Sequence, residues 1–298
     1  MTVIVQLNER MYTNTEDMKI IALAIILFTF FLPISGQQVN QVQNRLRGDD
    51  ATERKQVQAN GFDLQDKNKV WSLEEMDLSS KTIKIEYTNA GDTLTGLERG
   101  NRTYFQQTDK GISIIGSENV QTLISYDMPE TWLQFPMQQG DSVCGYFNGT
   151  GKYCDRLFMR RFGTYLTKAD AQGEIVLPEG DTLRNVLRLH TVRYVGTITA
   201  PIDTMKYKKP AFTVDSIITH LAPNTARMRE DVYRWYADGY RYPVLEATIV
   251  SQGDQKLRQA SQTNGSALSL SYSGLRRGQY ILRITAGMHQ FAEKFNFK

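Results

Sequence analysis

The chain has 298 residues, 41% apolar and 22% charged, with a formal charge of +3. These values exclude wholesale disorder and a polytopic membrane protein, and so small a charge gives no basis for nucleic acid as a partner. Gly 22 and Pro 8 exclude a collagen-like chain, and three His with two Cys leave little material for a metal centre.

Met18-Lys19 precedes Ile20 to Leu32, a run of 13 residues that is apolar except for Thr29, and Pro33-Ile34-Ser35-Gly36 follows. A basic start, a short apolar stretch and a small-residue exit predict a signal peptide over 1–36, with Met18 as an alternative start. The run is shorter than the roughly 20 residues that a membrane span needs. The mature chain is therefore expected outside the cytoplasm, in the periplasm or at the cell surface, without a transmembrane anchor. Residues 37–70 are polar and Gln-rich and read as loosely ordered. Two short polar segments, Arg45 to Ala59 and Thr225 to Tyr233, are the helix candidates.

From Trp71 onward the pattern is strands and turns. Ile83, Ile85 and Tyr87 alternate with Thr82, Lys84 and Glu86, a period of two. Further runs cover 112–115, 120–126, 175–177, 186–195, 231–236, 243–250, 267–272 and 280–285, broken by Gly, Pro, Asn and Asp. Breaks every 8–15 residues predict an all-β fold, an antiparallel β-sandwich of jelly-roll-like or Ig-like form. Trp71 and Trp132 are expected in its core. The main domain is drawn over 71–245, and 246–298 as a small C-terminal β-sandwich-like domain.

Cys144 and Cys154 bracket Gly145-Tyr146-Phe147-Asn148-Gly149-Thr150-Gly151-Lys152-Tyr153. Asn-Gly-Thr-Gly predicts a hairpin turn near Gly149 that would set the cysteines opposite each other. In an oxidising compartment that predicts a Cys144–Cys154 disulfide, stabilising by about 3 kcal/mol. Free buried thiols or a reactive pair are the alternatives.

No catalytic residue, metal or cofactor is assigned. His190, His220 and His289 lack a nucleophile element, and H-E-x-x-H, P-loop, G-x-G-x-x-G and calcium-loop patterns do not occur. Glu74-Glu75 and Glu230-Asp231 are adjacent acids, which in strands point to opposite faces. Asp170 reads as a turn residue, with a catalytic or calcium-binding carboxylate as the alternative. The aromatic hairpin Tyr233, Trp235, Tyr236, Tyr240 and Tyr242 is the candidate binding surface, because flat apolar rings with polar rims suit sugars or peptides. Alternation puts Tyr233 and Trp235 on one face and Tyr236 on the other.

Two stretches carry a resemblance. One is Gln134-Phe135-Pro136 with Gly140-Asp141, followed by Ala169-Asp170-Ala171-Gln172-Gly173, Leu177-Pro178, Gly180 and Asn185-Val186-Leu187-Arg188. The other is Asp231 to Ile249. Both resemble a family of uncharacterised exported proteins of Bacteroidota. The tail Leu275 to Ile284 is similar to the last strands of a type IX secretion sorting domain, although Tyr242-Pro243 replaces its opening Asn-Pro pair. The resemblance spans residues 132–298 and implies export without implying a reaction. The sequence thus predicts a non-enzymatic structural or interaction protein of the cell envelope, with a glycan or an envelope protein as partner. A glycan-binding protein and a carboxylate hydrolase are the alternatives, discriminated by exposed aromatics and by two acids in one cleft.

Overall fold

The alternation around residue 85 does form a strand, with Ile83, Ile85 and Tyr87 buried and Thr82 and Lys84 facing solvent. It belongs to a computed structural model that describes residues 36–57, 69–74, 76, 78–178, 180–202, 212–221, 228–252, 255–263, 266–267, 278–286 and 289–297. The expected signal peptide falls outside these residues, apart from Gly36.

The strands are β1 (Gln38–Val39), β2 (Ala51–Val57), β3 (Val70–Ser72), β4 (Leu78–Ala90), β5 (Thr93–Glu98) and β6 (Asn101–Gln107). There follow β7 (Gly111–Glu118), β8 (Thr122–Gln134), β9 (Met137–Gln138), β10 (Ser142–Tyr153), β11 (Leu157–Val176) and β12 (Thr182–Pro201). The last are β13 (Met228–Ala237), β14 (Leu245–Gln252), β15 (Gln255–Thr263), β16 (Ser266–Ala267), β17 (Gly278–Ala286) and β18 (His289–Phe297). One helical turn, Gln41–Asn44, and one helix, Val214–Leu221, complete the described elements.

The fold is all-β and antiparallel. β8, β7, β6, β5, β4 and β2 pair in succession, β2 pairs β15, and β15, β14, β13, β12 and β11 continue the sheet. β10 pairs both β11 and β8, so this sheet closes on itself. It is sandwich-like, because two walls of the one closed sheet face each other. Ile85, Tyr87, Leu94, Phe105, Ile112 and Leu133 of the first wall meet Ala169, Leu187, Leu189 and Tyr236 of the second. β3 adds in parallel to the end of β11, and its Trp71, with Leu73 just after it, covers the outer face of β11 to β14. β17 and β18 form a separate antiparallel pair. Among the described residues, no helix is long and apolar enough to cross a membrane.

Several expectations are corrected. Segment 37–57 is not loose. β1 pairs β9, Val39 and Leu46 enter the central core, and Gln107 bonds both the N–H and the C=O of Leu46 (2.9 and 3.1 Å). Burying an aliphatic side chain of that kind is worth roughly 1.5–3 kcal/mol, enough to hold a polar segment in place. Neither helix candidate is a helix where described: 45–50 is loop and turn, and 51–57 and 228–233 are strand, because Thr52 and Arg54, and Glu230, Val232, Arg234 and Tyr236, each share a strand face. The helix that does form, Val214–Leu221, starts at Thr213, whose Oγ1 accepts from Ser216 N at 3.3 Å, an N-cap. The boundary drawn at 245/246 does not divide two sheets, since β14 and β15 extend the ring from β13.

The predicted disulfide is absent: Cys144 and Cys154 are free and exposed. β10 runs unbroken through Asn148-Gly149-Thr150-Gly151, pairing on both edges. At about 3.3 Å per residue, ten residues of strand set the two cysteines roughly 30 Å apart, far beyond bridging distance. The glycines answer to crowding. A Cβ at 149 would lie 2.7 Å from Tyr126 Cδ1, and one at 151 would collide with the Leu123 carbonyl oxygen.

Candidate functional site

Between the two walls lies a cavity of about 170 Å³, lined from β2, β4 to β8 and β11 to β14. Its apolar side includes Ile85, Phe105, Ile114, Trp132 and Val232. Its polar side holds four arginines, Arg54, Arg161, Arg193 and Arg234, and three glutamates, Glu98, Glu130 and Glu246. Strand alternation places them there: Glu230, Val232, Arg234 and Tyr236 fall on the lumen face of β13, with Thr191 and Arg193 beside them on β12.

The charges are unevenly partnered. Arg193 donates to Glu130 Oε2 at 2.7 Å and to Glu230 Oε2 at 2.8 Å, and Arg161 Nη2 donates to Glu230 Oε1 at 3.3 Å. Arg234 Nε donates to Glu246 Oε2 at 3.1 Å, and its guanidinium lies 5.3 Å from the centroid of the Trp132 ring. Arg54 is different. It is only 8% exposed, and among the described residues its closest carboxylate oxygen, Glu246 Oε2, is 3.8 Å from Nη2 and its Nε has no hydrogen-bond partner. Glu98 has no ion pair among the described residues. The Nε atoms of Arg161 and Arg193 and the hydroxyl of Ser117 also lack partners.

Burial raises the pKa of Glu98 against the pull of Arg54, and raises that of Glu130 against the pull of Arg193. Burial also acts to raise Glu246, but Arg54 and Arg234 outweigh it and its pKa falls. Burial disfavours the cationic forms of Arg54 and Arg193, yet the facing glutamates raise both. Tyr87 is pushed up to about 12, chiefly by burial.

The aromatic hairpin is no exposed platform. Trp235 is 0% and Tyr236 1% exposed, and Tyr233 is buried with Trp235 in the outer-face core. Tyr236 points to the lumen side, as alternation predicted. Tyr242 stacks on Tyr87 with ring centroids 5.1 Å apart, and its hydroxyl donates to Asp50 at 2.9 Å. Tyr240 alone of the five reaches 37% exposure. Trp71 is in the core, whereas Trp132 lines the cavity.

Asp170 is not a turn residue; His190 Nδ1 lies 3.9 Å from its Oδ2, but among the described residues no group of three or more His, Cys, Asp or Glu could hold a metal. Asp170 sits at a bulge of β11 and accepts from Arg188 Nε and Nη2 at 2.8 and 3.0 Å. That guanidinium, 1% exposed, is packed among the rings of Trp71, Tyr233 and Trp235. Beside it His190 stacks on Tyr233 at 4.1 Å, and Asp231 Oδ1 accepts from His190 Nε2 at 2.9 Å. Arg229 donates to the same carboxylate at 2.7 and 2.8 Å. Burial opposes ionisation of Asp231, but these bonds hold its pKa down at about 2. Glu230 and Asp231 thus serve opposite faces of the sheet. His220 Nδ1 bonds Ser216 O at 2.8 Å. The side chains of Glu75 and His289 lie outside those described.

The sequence reading missed every charged residue of the cavity. The signal that could have found them is an arginine or glutamate at an apolar-face position of a strand, as in Glu230, Val232, Arg234 and Tyr236. Searches of protein-family models, curated proteins and solved structures found no match to this chain.

Proposed function

We propose that the protein is an exported, non-enzymatic binding module of the cell envelope that holds a small ligand inside its closed sheet. The observation that carries this reading is the cavity lined by four guanidinium groups, one of which, Arg54, has no carboxylate within hydrogen-bond distance among the described residues. A buried unmet donor on a charged group costs free energy, and a ligand entering the cavity recovers it. The segment 18–36 supports export.

Binding is favoured over hydrolysis because Glu130 and Glu246 are each tied to an arginine, leaving Glu98 without a second free carboxylate to work against. Three acids do share one cavity, which is the arrangement that the hydrolase reading needs, so that reading stays second. The glycan reading loses its carrier with the burial of Trp235 and Tyr236.

The test is a thermal-shift and native mass-spectrometry screen of the purified chain against small metabolite-sized compounds, with chromogenic esters and glycosides run in parallel. Compounds that raise the melting temperature without turnover are expected. Turnover abolished by Glu98→Gln would replace this reading with the hydrolase. A screen with neither binding nor turnover would end both.

A further inference from the structure

Resting on the cavity reading above, a second question is which chemistry the cavity selects. The arginine end and the aromatic wall adjoin. Arg54 and Arg234 face the same oxygen, Glu246 Oε2, at 3.8 and 3.1 Å. Arg234 lies over Trp132, and Trp132 packs on Phe105 with centroids 5.6 Å apart. A ligand seated there meets a guanidinium at one end and rings along its body.

Size and charge narrow the class. A cavity on the order of 150 Å³ holds benzene, so 170 Å³ fits a body of about that size with one small polar group. The four lining arginines are balanced by Glu98, Glu130, Glu246 and the bridging Glu230. A single added negative charge is offset by one proton on Glu98, the carboxyl without an ion pair; a dianion would leave an excess. A guanidinium with unused N–H groups pairs best with a planar carboxylate, through two parallel hydrogen bonds.

We propose that the cavity selects compact organic monocarboxylates, with the ligand carboxylate on Arg54, its apolar body against Phe105 and Trp132, and Glu98 taking up a proton on binding. Glu98 then donates its new O–H to the ligand, and no covalent bond changes.

Calorimetry on the full chain near neutral pH tests this with benzoate, benzyl alcohol and inorganic phosphate as probes, each in buffers of different ionisation enthalpy. Benzoate is expected to bind roughly tenfold or more tightly than benzyl alcohol, with phosphate silent. Binding of benzoate should take up close to one proton. Arg54→Gln should abolish the preference for benzoate, and Glu98→Gln, whose neutral amide stands in for the protonated carboxyl, should abolish the proton uptake and with it the pH dependence of benzoate affinity. Equal affinity for benzoate and benzyl alcohol, or a preference that survives Arg54→Gln, overturns the carboxylate assignment and leaves the cavity reading standing. No binding of either overturns both. Should Arg54→Gln lose its circular-dichroism signature of folding, Glu98→Gln decides, because undiminished proton uptake there overturns the proposal.

Discussion

β12 and β13 carry two clusters of charge on their two faces, and the clusters are built oppositely. On the outer face Arg188 has a bidentate carboxylate and three aromatic rings around it, and Asp231 is met by both His190 and Arg229. On the lumen face Arg193 of β12 and Arg234 of β13 share a cavity with Arg54 of β2 and Glu98 of β5, and those last two have no hydrogen-bonded ion partner among the described residues. A buried charge that is fully met holds a fold together; one left partly unmet in a cavity is available to something else. Ionisable residues are therefore no guide to a site here until their partners are counted.

The largest expected effect comes from breaking the closed cluster. Arg188→Met leaves the half-buried Asp170 carboxylate without its bidentate partner, with only His190 Nδ1 at 3.9 Å beside it, and should cost about 3 kcal/mol, read as a fall in the urea midpoint. Adding Asp170→Asn should return a good part of the loss, because the stranded charge goes with it. A loss below about 1 kcal/mol in the single variant would place the outer cluster among merely incidental pairs.

Acid and base should then act on the two faces with opposite sign. Asp231 has a folded pKa of about 2 against an ordinary 3.8, so its contribution is present above the ordinary value. It is lost as pH falls through the interval between those two figures. Asp231→Asn is expected to flatten that acid limb of stability. Glu98 is raised by burial, so it opposes folding at neutral pH and ceases to do so on acidification below the ordinary glutamate range. Glu98→Gln should therefore raise the melting temperature near neutral pH and change nothing in acid. Parallel shifts of both variants across pH would erase the distinction between the faces.

How much of this was legible follows from what alternation can encode. Period two gave the strand class, the placing of Tyr233 and Trp235 opposite Tyr236, and the separation of Glu230 from Asp231. It could not give the ring, because pairing of β10 with both β8 and β11 joins segments that share no local signal. Nor could it tell a glycine that turns from a glycine that is crowded, which is why Gly149 and Gly151 read as a hairpin. The cavity was hidden for a related reason. Arg54 looks like any solvated arginine in a polar stretch until β2 is paired with β4 and β15, and only then does its face become interior.

A smaller effect is expected at Arg54 itself. Because its guanidinium makes no hydrogen bond to a carboxylate among the described residues, Arg54→Gln removes little that the fold uses and should cost about 1 kcal/mol or less in chemical denaturation. A loss comparable with that of Arg188→Met would mean that the lumen arginine is structural too, and the contrast between the faces would fail.

The smallest effect should come from the cysteines, which are exposed, Cys144 near the start of β10 and Cys154 just past its end. Double replacement, Cys144→Ser with Cys154→Ser, is expected to stay within about 0.5 kcal/mol of the parent, the range of surface substitutions. A native disulfide closing so short a loop would instead be worth about 3 kcal/mol, well outside that range. Mass spectrometry of the native protein after alkylation adds an independent reading, with two labels expected without prior reduction. If the thiols resist alkylation until reduced and the double variant loses stability, β10 must fold back on itself near Gly149. Its pairing with β8 and β11 would then break, and with it the closure of the sheet on which the interior cavity depends.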